Sequence, residues 1–96
     1  MITSKASIQS PNAARYLTRL CRHFSHKVTA EWDDTRGRVE FAMGTCFFEA
    51  SGNSLNLTTE AATQEDTEKV QEIIGSHLVR FAAAMKDAEE LTVTWQ

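Results

Sequence analysis

Arg15, Arg19 and Arg22 are spaced four and three residues apart, and His26 follows after four more. These are the intervals that stack side chains on one face of a helix. At about 100° per residue the four fall within a sector of roughly 60°, His26 only if the helix lasts that long. Guanidinium forks match carboxylates and phosphates, so the chemistry of such a row is anion recognition. Tyr16 and His23 lie on one shoulder of the row and Lys27 ends it. The expected ligand-binding set is therefore Arg15, Tyr16, Arg19, Arg22, His23, His26 and Lys27. The competing reading is a solvated face, or one paired with acidic residues of the same chain or of a second copy.

His23 and His26, three apart, could both reach one metal ion. They are the metal-ligand candidates, although no third ligand stands at a recognisable spacing. The plainer account is a solvated pair of histidines favoured by the helix dipole at a C-terminus. His77 falls between Ile73 and Phe81 on an apolar stripe, which suits a core histidine bonded to backbone or to Tyr16. Cys21 and Cys46 form no CxxC pair. Free cysteines usually act as small buried hydrophobes. A nucleophilic role for Cys21 would need a neighbouring cation and access to solvent, and Arg22 and His23 point elsewhere. No dinucleotide, phosphate-loop, nucleophile-elbow or zinc-protease motif occurs. No enzyme class and no cofactor is nominated.

These side chains need elements to hold them. Ile2, Ser4, Ala6 and Ile8 alternate with polar residues, the pattern of a half-buried strand. Ser10-Pro11 reads as an N-cap with proline in the first helical position. Ala13, Leu17, Leu20, Cys21 and Phe24 then make one apolar stripe, predicting a helix from about Pro11 to Phe24 with the arginines opposite its core face. Four short alternating strands follow: Val28-Ala30-Trp32, Val39-Phe41, Cys46-Phe48-Ala50 and Leu55-Leu57-Thr59. Asp33–Gly37, Gly44 and Ser51–Ser54 supply turns, too short for anything but an antiparallel meander. Outward positions are polar except Phe47, so that face should meet water. A second helix begins near Thr63 and carries Val70, Ile73, Ile74, Leu78, Ala82 and Met85 inward, with Gly75 suggesting close packing. Leu91, Val93 and Trp95 predict a last strand. The expected fold is α+β, two helices on one face of a mostly antiparallel sheet, in the order β-α-β-β-β-β-α-β.

Ninety-six residues allow one domain, 1–96. Hydrophobic residues at 42% and charged residues at 24% exclude a disordered or collagen-like chain. The net charge of −3 conceals an asymmetry. Residues 1–30 hold five bases and no acid, and the remainder holds five bases and all 13 acids. No signal-peptide core and no membrane-length apolar run is present, so a cytoplasmic protein with reduced thiols is expected. The negative total and the lack of basic–aromatic interleaving disfavour nucleic acid.

The string from Ala14 to Lys27, ARYLTRLCRHFSHK, resembles a small bacterial family known as domain of unknown function 2218. So do Gly37–Phe41, His77–Ala82 and the closing segment ending in Trp95. The resemblance spans nearly the whole chain. Phe24 stands where many members carry tryptophan, and the stretch after Phe81 is alanine-rich. The resemblance implies a compact α+β domain and an association with siderophore-interacting ferric reductases, hence a setting in iron handling. It carries over no catalytic residue, and it adds Cys21, His77 and Arg80 to the positions of interest. The leading expectation is a non-enzymatic binding or accessory module whose basic ridge takes an anionic small molecule, such as a ferric siderophore, or an acidic protein surface. The alternatives are a metal- or haem-binding protein using His23 and His26, and a structural module or homodimer.

Overall fold

The computed structural model describes residues 1–85 and 88–96. Its elements are β1 (Ile2–Gln9), α1 (Ala13–Phe24), β2 (Thr29–Trp32), β3 (Arg36–Phe41), β4 (Gly44–Ser51), β5 (Ser54–Ala61) and α2 (Gln64–Ala84). The sheet is five-stranded and antiparallel throughout, in the spatial order β1-β5-β4-β3-β2. β2 to β5 form the expected meander. β1 closes it by pairing with β5, from Ile2 opposite Ala61 to Gln9 opposite Ser54. That register places Ser4, Ala6 and Ile8 beside Thr59, Leu57 and Leu55 on the helix-facing side, where period-two alternation requires them.

Both helices cover that side. α1 buries Ala13, Tyr16, Leu17, Leu20, Cys21 and Phe24, and α2 buries Thr67, Val70, Ile74, Leu78 and Ala82. They meet Val39, Cys46, Phe48, Ala50, Leu55 and Leu57 from the sheet in one core. α2 starts where the sequence places it: the Thr63 side chain accepts the Asp66 N–H at 3.1 Å, a capping bond for an otherwise unsatisfied donor.

Four local expectations are revised. The N-cap of α1 is Asn12 rather than Ser10, so Pro11 precedes the helix. Ser10 Oγ still accepts the Asn12 N–H at 3.0 Å. Gly44 is not needed for a turn, since Gly52 is the only described glycine with positive φ, at 57°. It is needed for space, because a Cβ there would lie 2.7 Å from the Glu60 carbonyl oxygen. Gly75 has the opposite character: a Cβ there meets nothing within 4 Å, so close packing is not its reason. Gly75→Ala should raise stability by about 1 kcal/mol through helix propensity alone, read as a higher urea midpoint. A lowered midpoint would contradict the open surroundings.

The fourth revision concerns the C-terminus. Leu91–Trp95 is not a strand of the sheet. Leu91, Val93 and Trp95 do turn inward against the core. The segment is tied to β1 by one reciprocal pair, Lys5 N–H to the Gln96 carbonyl at 3.0 Å and Gln96 N–H to the Lys5 carbonyl at 2.8 Å.

Candidate functional site

Because α1 spends one face on the core, its arginines stand on the opposite face, all exposed. Arg15, Arg19, Arg22, His23 and His26 line a shallow groove of about 740 Å³, together with Ala14, Thr18, Asp34 and Phe81. α1 ends at Phe24, but the Ser25 N–H still bonds the Cys21 carbonyl at 2.9 Å and Lys27 N–H the Phe24 carbonyl at 3.0 Å. The backbone therefore keeps turning and leaves His26 beside the row. Phe81 of α2 forms one wall, with the Arg19 guanidinium 5.1 Å from its ring centre. This contact holds the middle arginine by a cation–π attraction. Among the described residues Asp34, from the β2–β3 turn, is the only carboxylate in the lining.

The arginines of the sheet provide a contrast. Arg36 pairs with Glu49 at 3.6 Å, and Arg38 with Glu31 at 3.1 Å and Glu40 at 3.8 Å. Among the described residues no carboxylate lies within 4.0 Å of Arg15, Arg19 or Arg22. The open sheet face thus pairs its two arginines with carboxylates around Phe47, which is 36% exposed. The α1 face leaves its cations unneutralised by those residues.

Not every expected residue reaches the groove. Tyr16 is fully buried, and its hydroxyl donates to Glu89. Lys27 is exposed beyond the end of α1 and does not line the groove. His23 pairs with His77, ring centres 5.0 Å apart, while its ring also packs edge-on to Phe24 and Phe81 at 5.1 and 5.4 Å. His77 Nδ1 lies 2.7 Å from the Ile73 carbonyl oxygen. Donation to that oxygen leaves Nε2 as the free ring nitrogen, and the backbone partner is the one expected for a core histidine.

Desolvation, then the neighbouring charges of His77, Lys27, His26 and Arg80, push the His23 imidazole below its ordinary value. Every one of those charges is positive when present, a field that opposes a bound cation and favours an anion. Among the described residues no cluster of three or more His, Cys, Asp or Glu side chains is positioned around a common metal site. Cys21 and Cys46 are buried and unpaired. Burial pushes the Cys21 thiol up to about 12 and the Cys46 thiol higher still, so neither supplies a thiolate near neutrality.

Two participants carry no sequence signal. Asp34 looks like one of several turn acids until the fold brings it to the groove. Glu89 lies 73 residues from Tyr16, yet one of its oxygens accepts from the hydroxyls of Ser10 at 2.6 Å and of Tyr16, and from Asn12 Nδ2 at 3.0 Å. Both depend on contacts distant in sequence, which no local periodicity reveals. Among the described residues no helix is long and apolar enough to cross a membrane.

The chain is similar over its whole length to a protein of Pseudomonas aeruginosa, PA4090, solved by NMR. The TM-score is 0.79 at 27% identity, covering 100% of this chain and 96% of that one. No curated protein shows significant similarity. The family model described as an uncharacterized protein conserved in bacteria (DUF2218) matches residues 5–96. The segments ARYLTRLCRHFSHK and HLVRFA, which meet at the His23–His77 contact, lie within that match. The chain belongs to this bacterial family, DUF2218.

Proposed function

We propose that the protein is a non-enzymatic binding module whose α1 groove takes an anionic ligand. The observation that carries this reading is the contrast between paired and unpaired arginines. Arg36 and Arg38 have carboxylates within 4.0 Å, and Arg15, Arg19 and Arg22 have none among the described residues. A row of guanidiniums with one face open to solvent repels itself, and an anion relieves that repulsion while making charge-assisted hydrogen bonds. Nothing in the groove's chemistry selects an iron chelate over another anion, so the ligand is defined by charge. The buried free thiols suit a reducing compartment, and we place the protein in the cytoplasm.

Calorimetric titration at low ionic strength with pyrophosphate, citrate and a ferric siderophore tests the reading. At least one should bind. Arg15→Ala/Arg19→Ala should weaken that binding at least tenfold, because each lost charge-assisted bond contributes about 1.5–3 kcal/mol. Added salt should weaken it further. Absent binding, or equal binding by both proteins, rejects the proposal.

A further inference from the structure

We infer that the ligand of the α1 groove is a linear oligophosphate of at least three phosphates, laid along the helix axis across Arg15, Arg19 and Arg22. The inference rests on the reading of the groove as an anion site and names its ligand class.

Helix geometry sets the length. With a rise of about 1.5 Å per residue, Arg15 and Arg19 stand about 6 Å apart along the axis, and Arg19 and Arg22 about 4.5 Å. The whole row spans about 10 Å, longer than one phosphate or carboxylate group. A compact anion can engage one guanidinium fork or bridge two neighbours, leaving the third unneutralised. The three side chains are exposed and share one continuous groove, so a single extended ligand reaches all of them. His26 lies at the far end of the same groove.

The unequal spacing selects the kind of chain. An extended acidic peptide presents carboxylates on one face every two residues, about 6.6 Å apart. It would match the first interval and miss the second. An oligophosphate carries negative oxygens on every phosphorus, closer together than either interval, and so meets unevenly placed guanidiniums without a register. The walls restrict its path. Arg19 is held over the Phe81 ring at 5.1 Å, which fixes the middle anchor. Asp34, a carboxylate of the lining, repels the chain from its side and keeps it along the helix.

The test is a matrix of ligand length against arginine position. Orthophosphate, pyrophosphate, tripolyphosphate and a hexaglutamate peptide are titrated into the full chain and into Arg15→Ala, Arg19→Ala and Arg22→Ala, at one pH and low ionic strength. These side chains are exposed, and circular dichroism verifies that each variant folds. Tripolyphosphate should bind about tenfold more tightly than pyrophosphate, and more tightly than hexaglutamate. Arg15→Ala and Arg22→Ala, at the two ends, should each weaken tripolyphosphate about tenfold and orthophosphate less than twofold. Arg19→Ala should weaken every phosphate. Affinity that stops rising at pyrophosphate, end substitutions that act equally on short and long ligands, or hexaglutamate binding as well as tripolyphosphate would each overturn the inference and leave the anion site standing. Failure of every anion to bind overturns both.

Discussion

Glu89→Ala is expected to cost about 2–3 kcal/mol of folding stability, although Glu89 belongs to no helix or strand. One of its carboxylate oxygens receives the Ser10 hydroxyl at 2.6 Å, Asn12 Nδ2 at 3.0 Å and the Tyr16 hydroxyl. These donors sit at the start of α1, where the first backbone N–H groups lack helical partners and a negative charge is favoured. Tyr16 is fully buried. Removing its acceptor strands a phenolic hydroxyl inside the core, and an unsatisfied buried donor costs more than an average hydrogen bond contributes. The Glu89 backbone N–H separately bonds the Ala82 carbonyl at 3.0 Å, a contact that Glu89→Ala keeps. Loss of the carboxylate removes the side-chain tie between the start of α1 and the segment that carries Leu91, Val93 and Trp95 onto the core.

The bond set makes this contribution pH-dependent. Hydrogen bonds from Ser10, Tyr16 and Asn12 hold the Glu89 carboxyl below its ordinary 4.5. A group whose folded value is depressed stabilises fully above the ordinary value, and that stabilisation falls away as pH drops through it toward the folded one. Tyr16 has the opposite sign. Burial first, then its bond to Glu89, raises its hydroxyl above 10.0, so its share is complete below pH 10 and declines above. Urea midpoints measured from pH 7 to pH 3 should fall more steeply for the parent protein than for Glu89→Gln, which does not titrate. Equal acid slopes for the two proteins would remove Glu89 from the account. A Glu89→Ala variant as stable as its parent would remove the anchor.

Gly44→Ala should cost about 2–3 kcal/mol by overpacking, read as a lower urea midpoint with an unchanged slope. An added Cβ would sit 2.7 Å from the Glu60 carbonyl oxygen, 3.0 Å from Ala61 Cβ and 3.2 Å from Val70 Cγ2. The first of these is backbone within β5, directly across the ladder where Gly44 pairs with Ala61. It cannot retreat without stretching the β4–β5 pairing, and Val70 holds the other side from a fully buried position in α2. Gly75→Ala, in open space, serves as the reference substitution of opposite sign. Indistinguishable midpoints for Gly44→Ala and the parent would show that the crowding relaxes at no cost.

The glycines illustrate what was legible in the sequence. Gly44, Gly52 and Gly75 are alike as letters, and local pattern assigned turns to the first two and close packing to the third. Only Gly52 needs its left-handed backbone, at φ 57°. Gly44 is required by a neighbouring strand, and Gly75 by nothing that a side chain would meet. The histidines behaved similarly. Their spacing in the chain joined His23 to His26, while the packing of α1 on α2 joins it to His77.

Periodicity by itself determined the helices, the meander and the face each strand turns inward, because burying an apolar stripe is a local requirement that repeats every 3.6 or 2 residues. It also placed the three arginines on one ridge, since the face opposite a core stripe must meet water. The family resemblance, now shown over residues 5–96, came from the same letters. Tertiary structure alone decided that β1 pairs with β5, that Tyr16 leaves the ridge for the core, that Glu89 anchors the start of α1, and that Asp34 and Phe81 wall the groove. Each of these joins residues far apart in the chain, and such contacts depend on the shape into which the whole chain packs rather than on the spacing of neighbours.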